Sequence, residues 1–170
     1  MSAAIDALVQ GSLVELFQAY AVALAPMPAS GRPPKFPDIS AGIGFTRGTT
    51  RTASGRLTLS LPTEVLGLMK AEGGAPIRQA DWARELANQL LGRIKNRFLQ
   101  FSIKLQAGLP QNLDPKLLQE QMRTSASMRA YAGRTLRGDV LVTLEGMPLE
   151  SELVYVGPGT VAREGDTLFF

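Results

Sequence analysis

The sequence predicts an α+β fold, a largely antiparallel sheet with a long helix and an N-terminal helix packed on one face. Residues 81–98 separate into an apolar and a polar side when laid out at about 100° per residue, as a surface helix requires. Residues 39–46 and 56–61 alternate apolar and polar positions, as half-buried strands do. Glycine and proline turn signals then punctuate a strand-rich C-terminal part.

A chain of 170 residues, 45% of them hydrophobic, is long enough to bury one core. A single domain is expected, with an N-terminal helix over 2–24, a connector over 25–37, a core over 38–113 and the strand-rich part over 114–170. The net charge of +3 is spread along a chain poor in aromatics, so no nucleic-acid partner is expected. Cysteine and histidine are both absent. That excludes disulfides, cysteine nucleophiles, Ser-His-Asp triads, imidazole bases and Cys/His zinc sites. Any catalysis must run on carboxylates, amides, hydroxyls, amines or backbone donors, and a reducing cytoplasm is the expected compartment.

From the N-terminus, Ile5, Leu8, Val9, Leu13, Leu16 and Phe17 repeat at helical spacing, predicting a helix over Ser2 to Leu24. Residues 21–25 look like the end of a signal peptide, but no basic segment precedes them and Asp6 and Glu15 interrupt the apolar run. The stretch therefore reads as a domain helix, and nothing reaches the length of a membrane span. Pro26, Pro28, Pro33, Pro34 and Pro37 predict an extended connector. In the strand Ile39–Thr46, Gly42 and Gly44 bare one face, which suits close helix packing or a partner strand.

A hairpin tip over Gly48 to Ala53 leads to the strand Arg56–Leu61, which stops at Pro62. A short helix over Thr63 to Lys70, ended by Gly73 and Gly74, precedes the long one. After the long helix, Phe101, Ile103 and Leu105 predict a third strand, terminated by Gly108-Leu109-Pro110. Asp114 and Pro115 predict a capped helical turn through Met122. Strands are expected at Ser127–Ala132, Val140–Leu144, Leu153–Val156 and Thr167–Phe169, with Arg123, Arg129, Arg134 and Arg137 on the outer face of the sheet.

The long helix holds the candidate site residues. Ala83, Ala87, Leu90, Leu91, Ile94 and Phe98 fall on its apolar side. Asp81, Glu85, Asn88, Gln89, Gly92 and Asn96 fall opposite, flanked by Arg84 and Lys95 on one side and Arg93 on the other. Glycine in a helix interior costs about 1 kcal/mol relative to alanine, so Gly92 marks either a close approach by another backbone, from within the fold or from a partner, or a tolerated glycine on an ordinary polar face. Glu85 and Asn88, three residues apart, project together one turn below it.

The ordered segments Asp38-Ile-Ser-Ala-Gly-Ile-Gly-Phe-Thr46, Gly55-Arg-Leu-Thr-Leu-Ser-Leu-Pro62 and Glu85-Leu-Ala-Asn88 with Gly92 resemble the CheX family of chemotaxis phosphatases, relatives of CheC and FliY. The last matches the family's Glu-x-x-Asn-x-x-x-Gly signature, and the resemblance runs from the first helix to about Leu113. No other glutamate here has Asn three residues later, which fits CheX and not the two-motif CheC relatives. Where the family often has Asn after the motif glycine, this chain has Arg93.

The resemblance implies hydrolysis of the phosphoaspartate of a CheY-like receiver domain. Asn88 is expected to orient the attacking water, and Glu85 to pair with a receiver lysine. Asp81, Gln89, Gly92, Arg93 and Asn96 are expected to meet that partner. The resemblance also implies a homodimer joined through the sheets, for which the bare face at Gly42 and Gly44 would supply an edge. The Mg²⁺ would sit in the receiver, leaving this chain with no metal site or cofactor of its own. The competing expectations are a non-catalytic receiver-binding module and an assembly role like that of flagellar-switch relatives.

Overall fold

The computed structural model describes residues 3–27, 37–47, 53–69, 78–148 and 150–157. Among these, helix α1 spans Ala3–Gln18, strand β1 Ala25–Met27, β2 Ile39–Arg47 and β3 Ala53–Leu61. Helices α2 (Thr63–Leu68) and α3 (Gln79–Phe98) follow, then β4 (Leu105–Leu113), α4 (Pro115–Thr124), β5 (Arg129–Thr135) and β6 (Gly138–Glu145). The strands form one sheet in the order β1-β5-β6-β3-β2-β4, with every neighbouring pair antiparallel. The expected α+β architecture is what the chain adopts.

Helices α1 and α3 lie on one face of this sheet. Ala41, Ile43 and Phe45 of β2, Leu57, Leu59 and Leu61 of β3, and Val140, Val142 and Leu144 of β6 point into a shared core. Ile5, Leu13, Leu16 and Phe17 of α1 and Leu86, Leu90, Ile94 and Phe98 of α3 meet them there. Each such side chain contributes about 1.5–3 kcal/mol by leaving water, so α3 is pinned along its length. Leu118 of α4 and Leu141 of β6 are buried outside that core. The link from β4 to β5 must pass β2, β3 and β6, and α4 lies within it.

Helix α1 stops at Gln18, six residues short of the expected end. Val22 N–H bonds to the Phe17 carbonyl and Ala21 N–H to that of Gln18, a Schellman closure with Ala21 left-handed at φ 58°. The apolar pattern ran on because Val22 and Leu24 are buried beyond the turn. The expected connector contains β1, whose Ala25, Pro26 and Met27 pair with Arg134, Gly133 and Ala132. Proline is tolerated there because β1 is an edge.

The third strand is displaced. Leu99–Phe101 continue α3 as a 3-10 turn, Ser102 adopts a left-handed conformation at φ 57°, and β4 begins only at Leu105. It then runs through Gly108, Leu109 and Pro110, the expected terminator, because it too is an edge and a register shift opposite Ile43 and Phe45 absorbs the irregularity.

Gly42 and Gly44 lie on an interior strand, paired with both β3 and β4, so they offer no free edge; a Cβ at Gly42 would meet Leu113 at 2.6 Å. Residues Leu153–Val156 form no strand, being held instead by a bond from Val156 N–H to the Gln100 carbonyl. Arg129 approaches Asp6 of α1 at 4.0 Å, while Arg134 pairs with Asp139 of β6 at 3.1 Å. The hairpin tip over 48–52, residues 70–77 with their glycine pair, and the expected strand Thr167–Phe169 lie outside the described residues.

Candidate functional site

Every residue expected on the apolar side of α3 is buried, and Trp82 and Leu86 join them. This rotation leaves Glu85 and Asn88 exposed on the side turned away from the sheet. The helix starts at Gln79, where the Asn112 side-chain amide of β4 donates to the Ala80 carbonyl at 3.0 Å. Trp82, just inside the first turn, donates its indole N–H to the Met69 carbonyl at 2.6 Å. These bonds fix the N-terminal half of α3 against β4 and the end of α2.

Glu85 is tethered. The Gln89 Nε2 donates to Glu85 Oε1 at 3.0 Å, and the Tyr20 hydroxyl donates to Gln89 Oε1 at 2.8 Å. Tyr20 sits in the turn that closes α1, with its ring edge-on to Trp82 at a centroid separation of 5.5 Å. Asn88 differs: among the described residues its carboxamide has no hydrogen-bond partner, so both donor and acceptor face outward. At Gly92, an added Cβ would have nothing within 4 Å. Among the described residues the glycine answers no packing need.

The remaining expected site residues divide. Asp81 forms an ion pair with Arg84 at the start of the face. Asn96 lies half-buried two residues before the end of the helix. Arg93 turns to the flank facing α1, where it lies 3.9 Å from Glu15, which also pairs with Arg97. Its place after the motif glycine thus serves to hold α1 beside α3. Among the described residues no group of three or more acidic residues is placed to hold a metal ion.

Nothing in the local sequence marks Tyr20 and Trp82 as site residues. Trp82 falls at the margin of the apolar side, and Tyr20 is 69 positions from the glutamine it contacts, so no local spacing connects them.

No family model and no curated protein matches the sequence. Solved structures match its fold. A CheC-like superfamily protein from Shewanella sp. PV-4 superposes with a TM-score of 0.64 at 15% identity, covering 85% of this chain and 97% of its own. CheX from Desulfovibrio desulfuricans gives 0.62 at 15% identity, over 82% of this chain and 97% of that one. The fold is that of the CheX and CheC-like chemotaxis proteins. A third such structure is the CheX of Borrelia burgdorferi, solved in complex with CheY, beryllofluoride and Mg²⁺; it gives 0.53 at 9% identity, over 85% of this chain and 97% of that one. At these identities the likeness lies in the fold and not in individual side chains.

Proposed function

We propose that this chain is a CheX-like phosphatase that hydrolyses the phosphoaspartate of a CheY-like receiver domain. The observation that carries the reading is the exposed carboxamide of Asn88, unpartnered among the described residues, beside a held carboxylate, Glu85, next to the open surface at Gly92. An aspartyl phosphate repels a second carboxylate but admits a neutral amide. The Asn88 amide would enter the receiver's pocket and hold a water in line with phosphorus, accepting a hydrogen bond from the water through its oxygen. Glu85 would remain outside and pair with a receiver lysine, drawing that cation from the phosphoryl group. The receiver's own acidic pocket would hold the Mg²⁺ that neutralises the phosphoryl oxygens.

The open surface at Gly92 would admit the receiver's backbone, with Gln89, Asn96 and the Asp81–Arg84 pair bordering the contact. A CheX of the same fold was solved bound to CheY with beryllofluoride and Mg²⁺, which supports a receiver as the partner. No helix among the described residues is long and apolar enough to cross a membrane. The proposed setting is the cytoplasm, where receivers act.

The test is loss of label from phosphorylated CheY-like receivers with and without the protein. Faster loss with at least one receiver is the expected result. Stable complexes with receivers that keep their phosphate would favour the non-catalytic binding module instead.

A further inference from the structure

We propose that Tyr20 and Gln89 are positioning residues that fix the Glu85 carboxylate in the orientation needed to capture a partner's cation. This rests on the receiver-docking role given to Glu85 above. The direction of each hydrogen bond is dictated by chemistry. An ionised carboxylate only accepts, so the side of the Gln89 amide facing Glu85, at 3.0 Å, must be its NH₂. The amide oxygen is then turned to Tyr20, whose hydroxyl, at 2.8 Å, must donate. One proton on the phenol thereby sets the orientation of the amide, and the amide sets that of the carboxylate.

The tether is anchored at its far end. Tyr20 is placed by the Schellman turn that ends α1, and its ring meets Trp82 edge-on at 5.5 Å. Trp82 is buried and bonded to the Met69 carbonyl at 2.6 Å. The end of α1, the end of α2 and the first turns of α3 thus converge on one exposed carboxylate. Asn88 lies outside this chain of bonds, since no hydrogen bond joins it to Gln89 or Tyr20. The network therefore governs docking through Glu85 and leaves the hydrolytic step to Asn88.

An exposed glutamate that must be immobilised on binding loses about 2- to 10-fold in affinity relative to one already held. Tyr20→Phe keeps the ring against Trp82 and removes the hydroxyl that donates to Gln89. Affinity for a CheY-like receiver carrying beryllofluoride and Mg²⁺, measured by titration calorimetry, should fall by that factor in Tyr20→Phe and in Gln89→Ala. It should fall no further when Tyr20→Phe is added to Glu85→Ala. In turnover, Tyr20→Phe should raise KM and hold kcat. Unchanged affinity in Tyr20→Phe, or an equal loss in the Glu85→Ala background, overturns the proposal.

A second measurement needs no receiver. Three-bond NMR couplings across the Cα–Cβ bond of Glu85 should report one rotamer in the wild type and averaging in Tyr20→Phe. Averaging already present in the wild type overturns the tether. A wild type with a single rotamer that binds no receiver overturns the docking role of Glu85 and leaves the tether standing.

Discussion

Asn88 and Gly92 are the residues at which intramolecular explanations run out. A buried or bonded amide would be accounted for by folding; this one is exposed and has no partner among the described residues. Gly92 carries an unrelieved propensity cost, because an added methyl would touch nothing among the described residues. Gly92→Ala should therefore stabilise the protein by about 1 kcal/mol, read as a raised denaturant midpoint, while weakening receiver binding through the methyl placed on the docking face. A variant both more stable and equally tight in binding would remove Gly92 from the contact. At this scale the sequence was informative wherever periodicity operates: the spacing of Glu85, Asn88 and Gly92 on one side of a helix was visible without coordinates. It was silent about Tyr20, because a contact across 69 positions leaves no local trace.

The elements were legible in their cores and misread at their ends. The long helix and the β2–β3 hairpin follow from clean periodicities, 3.6 for one and 2 for the other. Helix α1 ended early without a glycine to announce it, because Ala21 takes the left-handed position of the closing turn. An L-residue there bears a steric cost of roughly 1 kcal/mol. Ala21→Gly should recover about that amount in the free energy of urea unfolding; an unchanged or lowered stability would mean that the turn is not the one described. Strand β4 defeated the reading for a different reason. Gly108 and Pro110 are breakers in an interior strand but acceptable on an edge, and edge status is a property of the sheet and not of the segment. The same reasoning moves Gly42 and Gly44 from an expected dimer edge to the middle of the sheet.

Across the whole molecule, α1 is tied to the sheet as well as to α3. The Tyr131 hydroxyl on β5 donates to Asp6 on α1 at 2.7 Å, with Arg129 beside them. Burial, and then the Asp6 carboxylate, push the phenol's pKa well above its ordinary value, with Arg129 opposing. Because the folded-state pKa is raised, the contribution of this group to stability is complete below about pH 10 and declines as pH rises beyond it, where only the unfolded chain ionises. Unfolding midpoints taken between about pH 8 and pH 11 should therefore fall more steeply in the wild type than in Tyr131→Phe. Parallel curves would contradict the assignment. The strand order that brings α1 beside α3 is not encoded in any single segment, which is why the sequence announced the helices but not the Glu15–Arg93–Arg97 cluster between them. The central claim concerns what the exposed face of α3 does to a receiver. The most direct measurement is the rate of phosphate loss from a phosphorylated CheY-like receiver at saturating protein, comparing wild type with Asn88→Ala. A loss of about 10²–10³ in rate, with binding retained, is the predicted result. Near-normal turnover in Asn88→Ala would contradict the account.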